Sequence, residues 1–198
     1  MTHFQITLAQ QVRALVVAPE AAALPLQLWA LDESRLGLQT VRRRRITLPG
    51  IKPVGRYQHA YDNFYVYGAV APRTAEGYFE ARGALNSGQF QAFLDAFAAT
   101  YCATFNVLLR DNARFHQSAA LTLPSNVALL FQPPDAPELN PCERVWLAVK
   151  DHLAWHCFDD LLALQDPLAE FLKVYDASAF QSLIAYPYLT HAIHALAA

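Results

Sequence analysis

Cysteine is scarce in this 198-residue chain, and the three present, Cys102, Cys142 and Cys157, are odd in number and follow no CxxC or Cys/His spacing. That argues against a zinc site and makes a reducing compartment the expectation. No apolar run reaches the length of a bilayer-spanning helix without polar interruption, and the N-terminus lacks a signal-peptide pattern, so no membrane association is expected. Charged residues make up only 16% of the chain and the formal net charge is −2, so no global basic excess draws it to nucleic acid. Internal repeats and low-complexity tracts are absent too. What is plentiful is apolar: 54% hydrophobic residues, in a length that suits one domain, fill a substantial core.

The few charges are unevenly spread. Arg42, Arg43, Arg44 and Arg45, with Lys52 and Arg56, form an early basic block, whereas Asp159, Asp160, Asp166, Glu170 and Asp176 make the tail acidic. Residues 5–17 fit a short helix, and 19–25 read as a linker. Residues 26–31 form a short, largely apolar run with polar residues after it, which predicts a buried strand, with 36–40 as a possible hairpin return. The aromatic, β-branched run 63–70 and the stretch 77–84 predict two more strands. Ser87 is placed to cap a helix reaching Tyr101, with Phe90, Phe93, Leu94 and Phe97 at helical spacing.

The pattern then becomes strand, turn, strand, helix: 106–110, a connecting segment 113–123, and 127–131. Asn140 followed by Pro141 is a helix-start signal, cap and then first-turn proline, and Val145, Trp146, Val149 and Leu153 give that helix an apolar stripe. Residues 158–174 continue as helix interrupted or kinked at Pro167, and 177–198 as helix broken at Pro187. Strands first, then strands mixed with helices, predict an α/β domain with one mixed central sheet flanked by helices.

This organisation delivers acids to particular places. Asp32-Glu33 closes the first strand, Asp111 closes another, and a glutamate stands in the first turn of the Asn140-Pro141 helix. Two carboxylates about 4 Å apart repel by about 4 kcal/mol at an effective dielectric of roughly 20, so a fold that gathers three must neutralise them. Oxygen-only ligands favour Mg²⁺ or Mn²⁺, and two such ions suit phosphodiester chemistry.

Four blocks of sequence carry a resemblance. Trp29-Ala30-Leu31-Asp32-Glu33-Ser34-Arg35-Leu36-Gly37-Leu38, Tyr67-Gly68-Ala69-Val70, Asp111-Asn112-Ala113-Arg114-Phe115-His116 and Pro137-Glu138-Leu139-Asn140-Pro141-Cys142-Glu143-Arg144-Val145-Trp146 resemble the catalytic domain of DDE transposases of the mariner superfamily, in its bacterial insertion-sequence branch, the six-thirty family. The blocks run in the family's order, and the last two are specific. The resemblance implies a ribonuclease H-like fold over 26–198, preceded by an N-terminal helix and linker over 1–25. It implies Asp32, Asp111 and Glu143 as the catalytic triad and the ligands of two divalent ions, Mg²⁺ or Mn²⁺. It further implies cleavage and joining of DNA strands at transposon ends and target, a homodimer assembled on DNA, and a cytoplasmic, nucleoid-associated location. The 31 residues between Asp111 and Glu143 are fewer than the family's usual interval, which a deletion between Ala119 and Ser125 would absorb.

Each residue also has a bland reading. Glu143 is spaced to close a capping box with Asn140. Asp32 fits an ordinary turn, with Glu33 as its replacement in the site, and Glu138, on the loop before the cap, is the other alternative acid. Asp111-Asn112 is a common turn pair. Asn112 either orients Asp111 or stabilises that turn. His116 either contacts phosphate or bonds a backbone carbonyl, and Arg144 either reaches DNA or is an idle surface cation. Trp146 reads as core rather than a stacking platform. The four arginines, Arg42 to Arg45, are either the best DNA contact in the chain or a solvated hairpin edge.

Transposases of this branch carry helix-turn-helix modules that read the element's ends, and about 25 residues precede the first predicted strand here. Recognition is then expected from a separate helix-turn-helix polypeptide, unless the chain is a fragment. The rival to a cutting-and-joining enzyme is a domesticated, catalytically silent relic kept as a DNA-binding or protein-interaction module. A ribonuclease H-like nuclease with another substrate fits the acids but not the motif blocks.

Overall fold

A computed structural model describes residues 3–16, 23–111, 121–134, 136–174 and 177–197. In chain order the elements are α1 (His3–Leu15), β1 (Leu26–Gly37), β2 (Asn63–Ala71), β3 (Glu76–Arg82), α2 (Ser87–Thr100), β4 (Phe105–Arg110), β5 (Val127–Phe131), a 3₁₀ turn (Pro137–Leu139), α3 (Cys142–His152), α4 (Leu161–Val174), α5 (Ala177–Ile184) and α6 (Pro187–Ala197). The five strands form one sheet in the order β3-β2-β1-β4-β5. The first three are antiparallel neighbours, and β4 and β5 run parallel to β1. This is the mixed sheet flanked by helices that the sequence predicts, and its architecture is ribonuclease H-like.

The period-two alternation of the strands divides the apolar residues between two layers. Trp29, Leu31, Tyr67, Ala69 and Leu108 pack under α2 against Phe90, Phe93, Leu94 and Phe97. On the opposite face, Ala30, Leu36, Val66 and Val70 meet Val145, Trp146 and Val149 of α3 and residues of α4 and α5. Leu28, Val107 and Leu109 meet Phe4, Leu8 and Val12 of α1 and Tyr188 and Leu189 of α6. The predicted apolar stripe of the Asn140-Pro141 helix is therefore its buried face. No helix among the described residues is long and apolar enough to cross a membrane.

Three local expectations are corrected. The first strand does not stop at Leu31: it continues through Asp32 to Gly37, because β2 supplies ladder partners from Ala30↔Val70 to Gly37↔Asn63, and Ser34 and Leu36 are buried. Residues 36–40 are accordingly no hairpin return, and the return strand is β2, after the long connection 38–62. The α2 helix is capped by Asn86 rather than Ser87: the Asn86 side chain accepts the Gln89 N–H at 2.9 Å. The expected linker 19–25 and the connecting segment 113–123 lie largely outside the described residues.

Candidate active site

The parallel β1–β4 ladder pairs Leu26 with Phe105 and runs on to Ala30 and Leu109. Two residues further along each strand stand Asp32 and Asp111, so the register sets these acids side by side. Alternation then gives each acid its face. Asp32 follows Leu28 and Ala30, and Asp111 follows Val107 and Leu109, all packed on the layer that holds α3. Glu33 follows Trp29 and Leu31 toward the opposite layer, under α2. Its placement separates it from Asp32, which physically distinguishes the two neighbouring carboxylates.

Glu143 arrives from α3, whose start is tied to the same strand. Asn140 is extended, with its Oδ1 accepting the Cys142 N–H at 3.0 Å and its Nδ2 donating to the Leu31 carbonyl at 2.9 Å. One buried amide thus caps the helix and fastens it to β1 next to Asp32. The capping-box alternative for Glu143 is not formed: the Asn140 N–H donates to the Pro137 carbonyl, and Glu143 is exposed. Cys142, fully buried behind it, donates its thiol to the Ala30 carbonyl at 3.1 Å, and burial pushes that thiol's pKa well up. It is a packing residue, not a nucleophile.

Asp32 feels all of this. Its carboxyl is pushed up from the usual 3.8 to about 7, first by burial and next by the charge of Glu33, with the charges of Glu143 and Asp111 adding to it against an opposing backbone hydrogen bond at Glu33. The indole of Trp146 donates to Asp32 Oδ2 at 3.0 Å. Trp146 is core, as its stripe predicts, and also the direct partner of an acid. Its ring needs Gly68, the β2 residue in register with Asp32, because a Cβ there would come within 2.6 Å of the indole.

On the α2 side, Arg110 is fully buried and bonds Glu33 at 3.3 Å and Asp111 at 3.5 Å. Burial lowers the pKa of its guanidinium while the charges of Glu33 and Asp111 oppose that shift. The Glu33 carboxyl is raised chiefly by burial, with Arg110 pulling it back down.

The remaining expectations fall in different places. Asn112 and His116, and the first two residues of the segment 119–125 invoked for the short interval, lie outside the described residues. Glu138 is exposed on the 3₁₀ turn rather than on an irregular loop, and it is absent from the charges acting on Asp32. Arg144 is exposed on α3, with its guanidinium 4.7 Å from the centroid of the Tyr186 ring. The four arginines sit on no hairpin edge but in the connection 38–62. There Arg43 pairs with Asp151, Arg45 lies 4.7 Å from the Trp155 ring centroid and Arg42 5.5 Å from that of Tyr57. Arg44 makes no such contact among the described residues.

Among the described residues no three His, Cys, Asp or Glu side chains stand together at metal-ligating distance. The donor chemistry nevertheless fits a hard divalent cation. Asp32, Asp111 and Glu143 offer only carboxylate oxygen, and the Asp32 carboxyl, raised first by burial, is raised further by the charges of Glu33, Glu143 and Asp111. Sequence reasoning missed the supporting residues Arg110 and Gly68 and the polar role of Trp146. An arginine just before Asp111, in a strand otherwise apolar apart from Asn106, was the available signal for the first.

A family model described as DDE superfamily endonuclease matches residues 27–165. The uncharacterized protein y4pE/y4sA of Sinorhizobium fredii (strain NBRC 101917 / NGR234) is 34% identical over 89 residues, which are 44% of this chain and 66% of that protein. Among solved structures, the chain aligns over its whole length with Mos1 transposase in a paired-end complex with left transposon end, at TM-score 0.66 and 16% identity. It aligns likewise with the Mos1 mariner paired end complex with Mn, at TM-score 0.67 and 16% identity. The chain spans 62% and 63% of those two Mos1 chains. At such identities the likeness is one of fold, whereas the family match takes in Asp32, Asp111 and Glu143 together. The chain belongs to the DDE superfamily endonucleases.

Proposed function

We propose that the chain is the catalytic domain, over 26–198, of a mariner-superfamily DNA transposase of the bacterial insertion-sequence branch, which cleaves DNA strands and transfers them. Asp32, Asp111 and Glu143 are its catalytic acids and would hold two Mg²⁺ or Mn²⁺ ions. The observation that carries this reading is the β1–β4 register, which runs Asp32 and Asp111 alongside each other on the face where α3 presents Glu143. Two such ions, when bound, activate water or a DNA 3′-hydroxyl and stabilise the leaving oxygen.

The chain's own residues prepare that chemistry. Trp146 holds Asp32 in one orientation, and Asn140 keeps the start of α3 against β1. The raised Asp32 carboxyl keeps a proton near neutral pH that a cation must displace, which couples metal binding to proton release. Arg42 to Arg45 line an exposed connection that suits phosphate contacts, and Asn112, His116 and Arg144 are further candidates for such contacts. The complexes of Mos1 with a transposon end, and with Mn and Mg, support DNA and divalent metal as partners of this fold. A homodimer on DNA completes the assembly, in the bacterial cytoplasm at the nucleoid.

The test is Mn²⁺-dependent nicking of plasmid DNA by the chain, beside Asp111→Asn. Asp111→Asn is expected to abolish nicking while the fold survives, since its side chain is 60% exposed. Equal nicking by both proteins would remove Asp111 from the site.

A further inference from the structure

Arg110 is a charged group that the reaction as described does not use. It is fully buried, with its guanidinium 4.5 Å from the centroid of the Phe90 ring on α2. Its Nη2 reaches the two Glu33 carboxylate oxygens at 3.3 and 3.5 Å and Asp111 Oδ1 at 3.5 Å, and its Nε donates to the Asp111 carbonyl at 3.3 Å. One guanidinium therefore links α2, β1 and the end of β4. The two acids it bridges differ sharply in environment: the Glu33 side chain is 8% exposed and that of Asp111 60%.

As a stabilising device this arrangement is poor. Nη1 is buried without a hydrogen-bond partner among the described residues, and burying an arginine carries a desolvation penalty that contacts of this length offset incompletely. As a positioning device it is well made. Phe90 and Glu33 fix the guanidinium plane, so two of its N–H groups meet the main chain and side chain of Asp111 in a set geometry. Asp111 needs such support because β4 ends at Arg110, one residue before it.

We propose that Arg110 is a positioning residue for Asp111: anchored by Glu33 and Phe90, it sets the Asp111 carboxylate to receive a divalent cation. Glu33 is then the anchor of this device and not a substitute for Asp32. The inference rests on the reading of Asp32, Asp111 and Glu143 as metal ligands.

The test is the Mn²⁺ affinity of the full chain, measured from free Mn²⁺ by electron paramagnetic resonance, with circular dichroism and thermal unfolding as controls of the fold. Arg110→Met alone would strand Glu33 as an unpaired buried charge, so the informative variant is the double change Arg110→Met with Glu33→Gln, which removes both charges together. A folded double variant is expected to bind Mn²⁺ about tenfold more weakly, the scale of losing a partner that orients a metal ligand. Arg110→Lys, which keeps the charge but loses the fork, is expected to fall between it and the wild type. Adding Asp111→Asn to the double variant should weaken binding by less than the product of the separate losses, because the pair acts through Asp111.

A folded double variant that binds within twofold of wild type overturns the proposal. So does Arg110→Lys at full wild-type affinity, which decides the matter if the double variant does not fold. Wild type and Asp111→Asn binding Mn²⁺ alike, or not at all, overturns the metal-ligand reading and this inference with it. Loss on Asp111→Asn without loss in the double variant removes only Arg110.

Discussion

Trp146 Nε1 donates to Asp32 Oδ2 at 3.0 Å, a bond that joins α3 to β1. The same indole closes over Gly68, which is paired with Asp32 across the β1–β2 ladder, and meets the Phe79 ring edge-on at a centroid separation of 5.9 Å. The apolar body of the ring belongs to the core while its N–H serves the acid, a division of labour open to tryptophan and not to phenylalanine.

Trp146→Phe should therefore separate packing from positioning. The ring remains, the donor goes, and a smaller side chain leaves some space. Unfolding in urea is expected to show a loss of about 1–2 kcal/mol. Mn²⁺-dependent nicking should fall by tenfold or more, in the range typical for removing a partner that orients a ligand. A variant that loses stability but nicks at the wild-type rate would show that the bond to Asp32 has no part in the reaction.

Gly68→Ala attacks the same contact from the other side. The new methyl would stand 2.6 Å from the Trp146 ring and 2.8 Å from that of Phe79, so one of the two rings must move. Overpacking of this kind costs about 1–3 kcal/mol. Thermal unfolding should register that cost, and tryptophan fluorescence should change as the indole leaves Asp32. An unchanged melting temperature would place slack around Gly68 that this packing does not have.

The Asp32 carboxyl gives a pH dependence with a definite sign. Its pKa is raised in the fold to about 7 from 3.8, so the folded state holds the proton more tightly than the unfolded chain does. The stability Asp32 contributes is complete below its unfolded value and is lost as pH rises toward 7. The difference in unfolding free energy between wild type and Asp32→Asn, measured without divalent metal, should shrink with increasing pH by at most about 1.4 kcal/mol per unit across that window. A difference that stays flat from pH 4 to 7 would mean that Asp32 titrates normally.

For DNA, four arginines neutralise at most about four phosphates, so Arg42 to Arg45 support a log–log salt slope no steeper than roughly −3.6. Their contacts with Asp151, Trp155 and Tyr57 leave Arg44 the freest of the four. Titration of a labelled duplex at several salt concentrations should show weak, non-specific binding that the four alanine substitutions flatten. Tight binding to one sequence that survives those substitutions would locate recognition elsewhere in the domain.

Much of the fold was legible in the sequence. The runs 63–70 and 127–131 gave strands, Asn140-Pro141 gave a helix start, and Pro187 marked a break, all from local periodicity and backbone chemistry; the expected interruption at Pro167 is not there, since α4 runs unbroken through it from Leu161 to Val174. The order of Asp32, Asp111 and Glu143 was legible in the same way, because each is attached to a recognisable element. Other features were decided only in three dimensions. Asp32-Glu33 reads locally as a strand end, yet β2 prolongs the strand past both, since ladder bonds to a distant segment outweigh a polar run. Which of the two acids shares a face with Asp111 depends on the β1–β4 register, which no local pattern contains. The roles of Trp146, Gly68 and Arg110 are of the same kind. Asp32 lies 114 residues from Trp146 and Glu33 lies 77 from Arg110, so only packing brings a donor to an acid, a glycine under a ring, or a distant carboxylate to the arginine beside Asp111. Sequence determined the elements and the chemistry each one carries; tertiary structure decided which groups face one another, because hydrogen bonds and charge act through space and not along the chain.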